Sequence, residues 1–285
     1  CILVSLVVNP PFSTMNIQGV DIHIDGDGPE TLVMLHGWPD TLALWNDTVT
    51  ALKDTHRCVR LTLPAFDPKV PLKPKSLLEM VAFIHEVIEH VSPQKSVTLV
   101  LHDWGCIFGY EYAATHPHRV SRMVAVDVGD HNSRALNASL SAKAKWAVFS
   151  YQIWLAIAWQ IANIFGSFGQ ALANRMTRYM AKTLRCPSPM QHKHVGMNAP
   201  YAMKWMGALG GMATACNALK ILPIARPMLY IYGKRKPFMF HSEKWLEKIN
   251  SYPGSQVEGF DTGHWVMSSK PEQFNALLKT WLASN

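Results

Sequence analysis

From His131 to Ser242 the chain contains no aspartate and no glutamate, although those 112 residues hold 14 lysines and arginines. The rest of the 285-residue sequence has 13 basic and 20 acidic side chains, so the net charge of +7 belongs to one segment. A shift this sharp marks a compositional boundary and suggests an inserted module over about residues 131–225. A nucleic-acid partner is not implied, because there is no basic helix with base-reading spacing, no RNA-binding signature and no low-complexity arm. Cysteine is also scarce. The five residues at positions 1, 58, 106, 186 and 216 are odd in number and include no CxxC pair. That excludes a disulfide framework and gives no support for a zinc site; it fits reduced thiols in a cytoplasmic protein. The run Ile2–Val8 is too short, and lacks the flanks, for a signal peptide. Residues 1–14 read as an extension before a natural start at Met15, with a lipid-modified Cys1 as the lesser alternative.

With 48% hydrophobic and 10% aromatic residues the chain can build a sizeable core, in one large domain or a domain plus a smaller one. Short apolar runs alternate with helical patterns, the signature of an α/β fold around a mostly parallel sheet. Strands are expected at 20–24, 31–35, 58–63, 97–101, 123–128, 228–232 and 256–260. Helices are expected at 42–52, 76–90, 106–115, 242–249 and 271–282. Three units follow: a first core part over 15–130, the inserted module over 131–225 and a second core part over 226–285. Trp146–Phe165 is a 20-residue run without a charge, long enough to cross a bilayer. Its Tyr151, Gln152, Gln160 and Asn163 are costly in lipid, so a buried or lid helix is the preferred reading. Association of an apolar, basic-rimmed lid with a membrane surface is the minor one.

Three motifs carry chemistry. His36-Gly37-Trp38-Pro39 follows a strand and leaves the Trp38 amide above the carboxyl edge of the sheet. VTLVLHDWGCIFGYEYA reads as a buried strand, a sharp turn and a helix, with Asp103 at the apex, Gly105 two residues later and a somewhat large Leu101 two before. The bland role for Asp103 is an N-cap of the helix. Phe260-Asp261-Thr262-Gly263-His264-Trp265 leaves the last strand and brings an imidazole to the same edge.

The order of these motifs resembles the α/β-hydrolase superfamily, and within it the epoxide hydrolases and the related haloalkane dehalogenases, over nearly the whole chain from Met15. The resemblance implies an α/β-hydrolase fold with an inserted helical cap. It also implies a nucleophile at Asp103, a base at His264 and an oxyanion hole from the amides of Trp38 and Trp104. No metal or organic cofactor is implied. A carboxylate at the elbow disfavours a serine esterase. Phe149-Ser150-Tyr151-Gln152 and Pro200-Tyr201-Ala202-Met203-Lys204-Trp205 resemble the two lid-tyrosine motifs of epoxide hydrolases, so Tyr151 and Tyr201 are expected to hold the epoxide oxygen. Tyr110 and Tyr179 are rivals for that role. The substrate pocket is assigned to His36, Gln152, Trp154 and Trp265.

The resemblance places the acid that orients His264 at about Lys236, where the chain has no carboxylate. Asp127, at the end of the strand after the nucleophile helix, is the preferred substitute, because a carboxylate in a buried apolar run requires a partner. Asp130 is the alternative and Asp261 a third candidate. The expected activity is opening of an epoxide to a vicinal diol through an ester on Asp103. The alternatives are a haloalkane dehalogenase and an inactive hydrolase-fold binding protein. The expected ligand is a small hydrophobic epoxide, held among Trp146, Trp154, Trp159, Phe165 and Phe168. Arg175, Arg178, Lys182 and Arg185 either receive an anionic tail or form a solvated helix face. The expected state is a monomer or homodimer.

Overall fold

A computed structural model of the chain describes residues 12–70, 73–131, 133–212 and 226–285. Eight strands form one sheet: β1 (Phe12–Ile17), β2 (Val20–Asp25), β3 (Thr31–Leu35), β4 (Arg57–Leu61), β5 (Val97–His102), β6 (Val120–Val126), β7 (Met228–Gly233) and β8 (Gln256–Phe260). Their order is β1-β2-β4-β3-β5-β6-β7-β8. The β1–β2 and β2–β4 pairs are antiparallel and the remaining pairs parallel. The central strands β3 and β5 are buried at every residue, as their unbroken apolar sequences require when helices cover both faces.

The seven expected strands are present with ends shifted by a few residues, and β1 is an addition. It begins at Phe12, so the expected boundary at Met15 falls inside a strand. FSTMNI is half polar and buried only at Ile17, which gives an edge strand little apolar signal. Core helices α1 (Asn46–Leu52), α2 (Leu77–Val91) and α3 (Trp104–Thr115) pack beside the sheet, followed in the second core part by helices Glu243–Asn250 and Pro271–Ser284. α2 starts in a capping box, with the Ser76 hydroxyl accepting from Glu79 N–H and the Glu79 carboxylate accepting from Ser76 N–H.

The acid-free segment holds α4 (Arg134–Ser139), α5 (Ala142–Ile164), α6 (Gly166–Thr183) and α7 (Ala199–Met206). α5 is long and apolar enough to span a bilayer, yet only 22% of its most apolar window is buried. It packs along α6 and α7 as a cap helix rather than as a buried core helix. Trp146, Phe165 and Phe168, expected inside the lid, are 68%, 60% and 75% exposed. Apolarity alone does not say which side of a lid helix faces inward. The cap is tied to the core through the loop after β3. Trp38 Nε1 donates to Asn198 Oδ1 at 2.9 Å, and buried Lys193 lies 3.9 Å from Asp40 while donating to the Pro39 carbonyl. Cys58, Cys106 and Cys186 are buried free thiols; Cys1 and Cys216 lie outside the described residues.

Candidate active site

β5 delivers Asp103 to a turn of φ 52° and ψ −120°, a conformation that L-residues rarely adopt and that pushes the side chain above the sheet edge. The turn closes tightly because position 105 is glycine; a Cβ there would stand 2.3 Å from the Leu35 carbonyl oxygen. The bulk of Leu101 is accommodated on the other side by Gly109, where a Cβ would lie 2.5 Å from Leu101 Cδ2. Asp103 precedes the first residue of α3 but makes no side-chain capping bond. Its carboxylate is therefore left for the cavity, and Oδ1 lies 3.8 Å from His264 Nε2.

The other imidazole nitrogen, Nδ1, bonds Asp127 Oδ2. Asp127 is fully buried just beyond β6, with φ 72°. It also accepts from the Gly233 N–H at 2.9 Å and from the Lys236 ammonium. Burial opposes its ionisation, but the two cations outweigh burial and hold its carboxyl below the usual range. For His264, burial favours the neutral ring, and the carboxylates of Asp127 and Asp103 overcome it and raise the pKa to about 9. Lys236 is pushed down by burial and partly restored by Asp127. The position where the resemblance places an acid thus holds a cation facing the carboxylate of β6.

Asp130 does not approach His264. Its oxygens accept from the Ser242 N–H at 2.8 Å and from the hydroxyls of Ser242 and Ser133 at 2.7 and 2.6 Å, anchoring the start of the cap. Asp261 is exposed and paired with Arg235. The amides of Trp38 and Trp104 flank the elbow, and neither donates to an acceptor among the described residues.

A cavity of about 1240 Å³ lies between core and cap, with Asp103 and His264 on its floor. Tyr151 of α5 and Tyr201 of α7 face it, their ring centroids 6.1 Å apart. Tyr201 also stands edge-on to Trp38 and Trp104 at 5.8 and 5.4 Å. The Tyr151 oxygen accepts from Gln152 Nε2 at 2.9 Å, and Gln152 Oε1 accepts from Trp205 Nε1 at 2.8 Å. Burial raises the pKa of both phenols, so both remain proton donors at neutral pH. Tyr110 instead donates to the Val128 carbonyl under α3, and Tyr179 is exposed.

Gln152, Trp154 and Trp265 line the cavity, with the Trp265 indole donating to Asp40 at 2.7 Å. His36 does not. Its ring is fully buried behind the loop, accepting from the Leu63 N–H at 2.9 Å and bonding the Gly37 carbonyl, and burial holds it neutral with a pKa of about 4. Of the expected lid cations only Arg185 lines the cavity. Sequence reasoning missed two neighbours. Lys236 was visible only as a missing acid. His102, beside the nucleophile, is buried with its ring 4.6 Å from that of His264. No group of three or more metal-binding side chains occurs among the described residues.

Comparison with known proteins agrees with this architecture. A cis-3-alkyl-4-alkyloxetan-2-one decarboxylase from Xanthomonas campestris pv. campestris is 23% identical over 94% of this chain and 94% of its own. A protein of the same description from Shewanella oneidensis is 31% identical over 117 residues, 39% of this chain, so that the match spans 37% of that relative. Human epoxide hydrolase 4 is 21% identical over 90% of this chain and 73% of its own. Epoxide hydrolase A from Mycobacterium thermoresistibile superposes with a TM-score of 0.64 at 17% identity, covering 96% of this chain and 98% of that one. The family model described as alpha/beta hydrolase fold matches residues 30–271, and the chain belongs to that family.

Proposed function

We propose that the protein is an epoxide hydrolase that works through a covalent ester on Asp103. The observation that carries this reading is the placement of two phenols, Tyr151 and Tyr201, across one cavity from a carboxylate that His264 contacts. In the first step an Asp103 oxygen attacks a ring carbon and the carbon–oxygen bond breaks. The leaving oxygen takes a proton from one of the tyrosines, whose hydrogen bonds stabilise the developing charge. In the second step His264 removes a proton from water, and the hydroxide adds to the Asp103 ester carbonyl. The amides of Trp38 and Trp104 stabilise the oxyanion, a contribution of about 3–4 kcal/mol for each such donor in known cases. Collapse passes the proton of the added hydroxyl to the departing oxygen, releases the diol and restores the carboxylate with one oxygen from water. With a resting pKa of about 9, His264 starts and ends the cycle protonated at neutral pH. Esterification removes the Asp103 charge and lowers the proton affinity of the ring, so that its first proton passes to the tyrosinate and leaves it free to act as a base.

Single turnover of styrene oxide in ¹⁸O-water, followed by mass spectrometry of the Asp103 peptide, tests this mechanism. One ¹⁸O atom in that peptide is expected; diol formation with an unlabelled peptide overturns the reading. A second reading is favoured by the end-to-end likeness to the Xanthomonas protein, whose name specifies an oxetan-2-one. That ring is also strained and also open to attack at carbon. Carbon dioxide release from a cis-3-alkyl-4-alkyloxetan-2-one, and halide release from 1-bromohexane, are measured beside diol formation. The tyrosine pair argues against the halide, which needs no proton donor.

A further inference from the structure

The cavity wall carries a charge that this mechanism does not use. Lys204 lies one helical turn beyond Tyr201 on α7 and lines the same cavity. Among the described residues its ammonium has no carboxylate within ion-pair distance, and it stands 5.4 Å from the centre of the Trp205 ring. Burial pushes its pKa down to about 8, with Asp103 restoring part of the loss. His131 lines the cavity as well and lies within electrostatic reach of Lys204. It is 7% exposed, and neither ring nitrogen has a hydrogen-bond partner among the described residues. Buried polar atoms are bonded in most folded proteins, so a ring unpartnered at both nitrogens and facing a cavity is short of a ligand.

Among the described residues no carboxylate pairs with Lys204, and Asp103 acts on it only from beyond ion-pair distance. Asp261 is engaged by Arg235, Asp127 lies beneath the floor with His264 and Lys236, and Asp103 faces His264. The whole segment that contributes the cap has no acid to offer. We propose that Lys204 and His131 form a carboxylate-binding subsite, so that the substrate is an epoxide bearing a carboxylate a few bonds from its ring. The inference rests on the epoxide reading for the ring, but the subsite itself does not. The ammonium supplies the charge, and the neutral imidazole supplies one N–H to the second oxygen. Side chains three residues apart on a helix are neighbours on one face. A carboxylate on Lys204 and an epoxide oxygen on Tyr201 therefore suit one short molecule. This differs from the sequence-based alternative of an anionic tail on Arg175, Arg178, Lys182 and Arg185, of which only Arg185 lines the cavity.

The test compares 5,6-epoxyhexanoate with its neutral counterpart 5,6-epoxyhexanamide, together with calorimetric titration of the unreactive ligands hexanoate and hexanamide. The native protein should prefer the acid by at least about tenfold in kcat/KM, mainly through KM. The preference should fall to about one in Lys204→Met, recover in Lys204→Arg and drop several-fold in His131→Phe. Hexanoate affinity should follow the same order while hexanamide affinity does not. Equal losses on acid and amide, with hexanoate binding unchanged, would assign Lys204 to protonation of the opened ring and overturn the subsite. Absence of discrimination between hexanoate and hexanamide in the native protein overturns it directly. If neither epoxide is turned over while hexanoate still binds through Lys204, the epoxide reading fails and the carboxylate subsite stands.

Discussion

Asp127 has no neutral alternative. Fully buried, it receives one cation on each oxygen, Lys236 on Oδ1 and His264 on Oδ2, and a backbone N–H besides. Removing Lys236 leaves the carboxylate less compensated, so that its hold on the His264 proton tightens. Lys236→Met should therefore shift the rising limb of ester hydrolysis to higher pH, by on the order of one unit. Single-turnover decay of the alkyl-enzyme between pH 5 and 10 reads this directly; a limb at the native position would show that Lys236 acts on packing alone. The pairing also shows what one residue reveals in a sequence and what it does not. Asp127 stood out because a carboxylate inside MVAVDV demands a partner. Lys236 carried no such signal, since a lysine in a polar turn is ordinary and the two lie 109 residues apart.

The strand, turn and helix formed by β5, Asp103 and α3 work as one element, because their close contacts are made between them. The small side of that junction is Gly109, and the large side is Leu101. Gly109→Ala should cost about 1–3 kcal/mol by overpacking, and Leu101→Ala about 2–5 kcal/mol by leaving a cavity. The double variant should lose less than the sum by at least about 1 kcal/mol, as measured by urea denaturation. Strict additivity would mean that the two positions do not share space. Elements of this kind were legible in the sequence: buried parallel strands are apolar at both parities, and glycine marks the tight exit. The amphipathic α2 was equally plain, although Ser76 caps the helix rather than beginning it. Of the cap helices only α5 was placed, from its charge-free run, and it was not oriented. α5 is apolar nearly all round, so its pattern does not say that Trp146 faces out, whereas Tyr151 was placed at the cavity by the lid-tyrosine resemblance and not by periodicity. Likewise His36, expected in the pocket as part of the loop after β3, has its ring turned back into the core.

The charge of the whole molecule responds to pH through histidines of two opposite kinds. His36, His102, His131 and His241 are lowered by burial to about 4. Each contributes stability above its unfolded value near 6.5 and loses it as pH falls toward 4. Glu111, raised by burial to about 7, acts in the other direction, one group against four. His264, raised to about 9, contributes fully below 6.5 and loses stability as pH rises above it. The melting temperature should therefore peak near pH 6.5. It should fall by at least roughly 5 °C by pH 5, and more gently toward pH 8. A melting temperature still rising at pH 5 would contradict the burial of these rings as neutral species. Four tryptophans, Trp38, Trp104, Trp154 and Trp265, line the cavity, and the Trp265 ring meets the His264 ring edge-on at 4.9 Å. A protonated imidazole quenches the emission of an adjacent indole, whereas a neutral one does so weakly. The light emitted by Trp265 is therefore an optical record of the charge on His264.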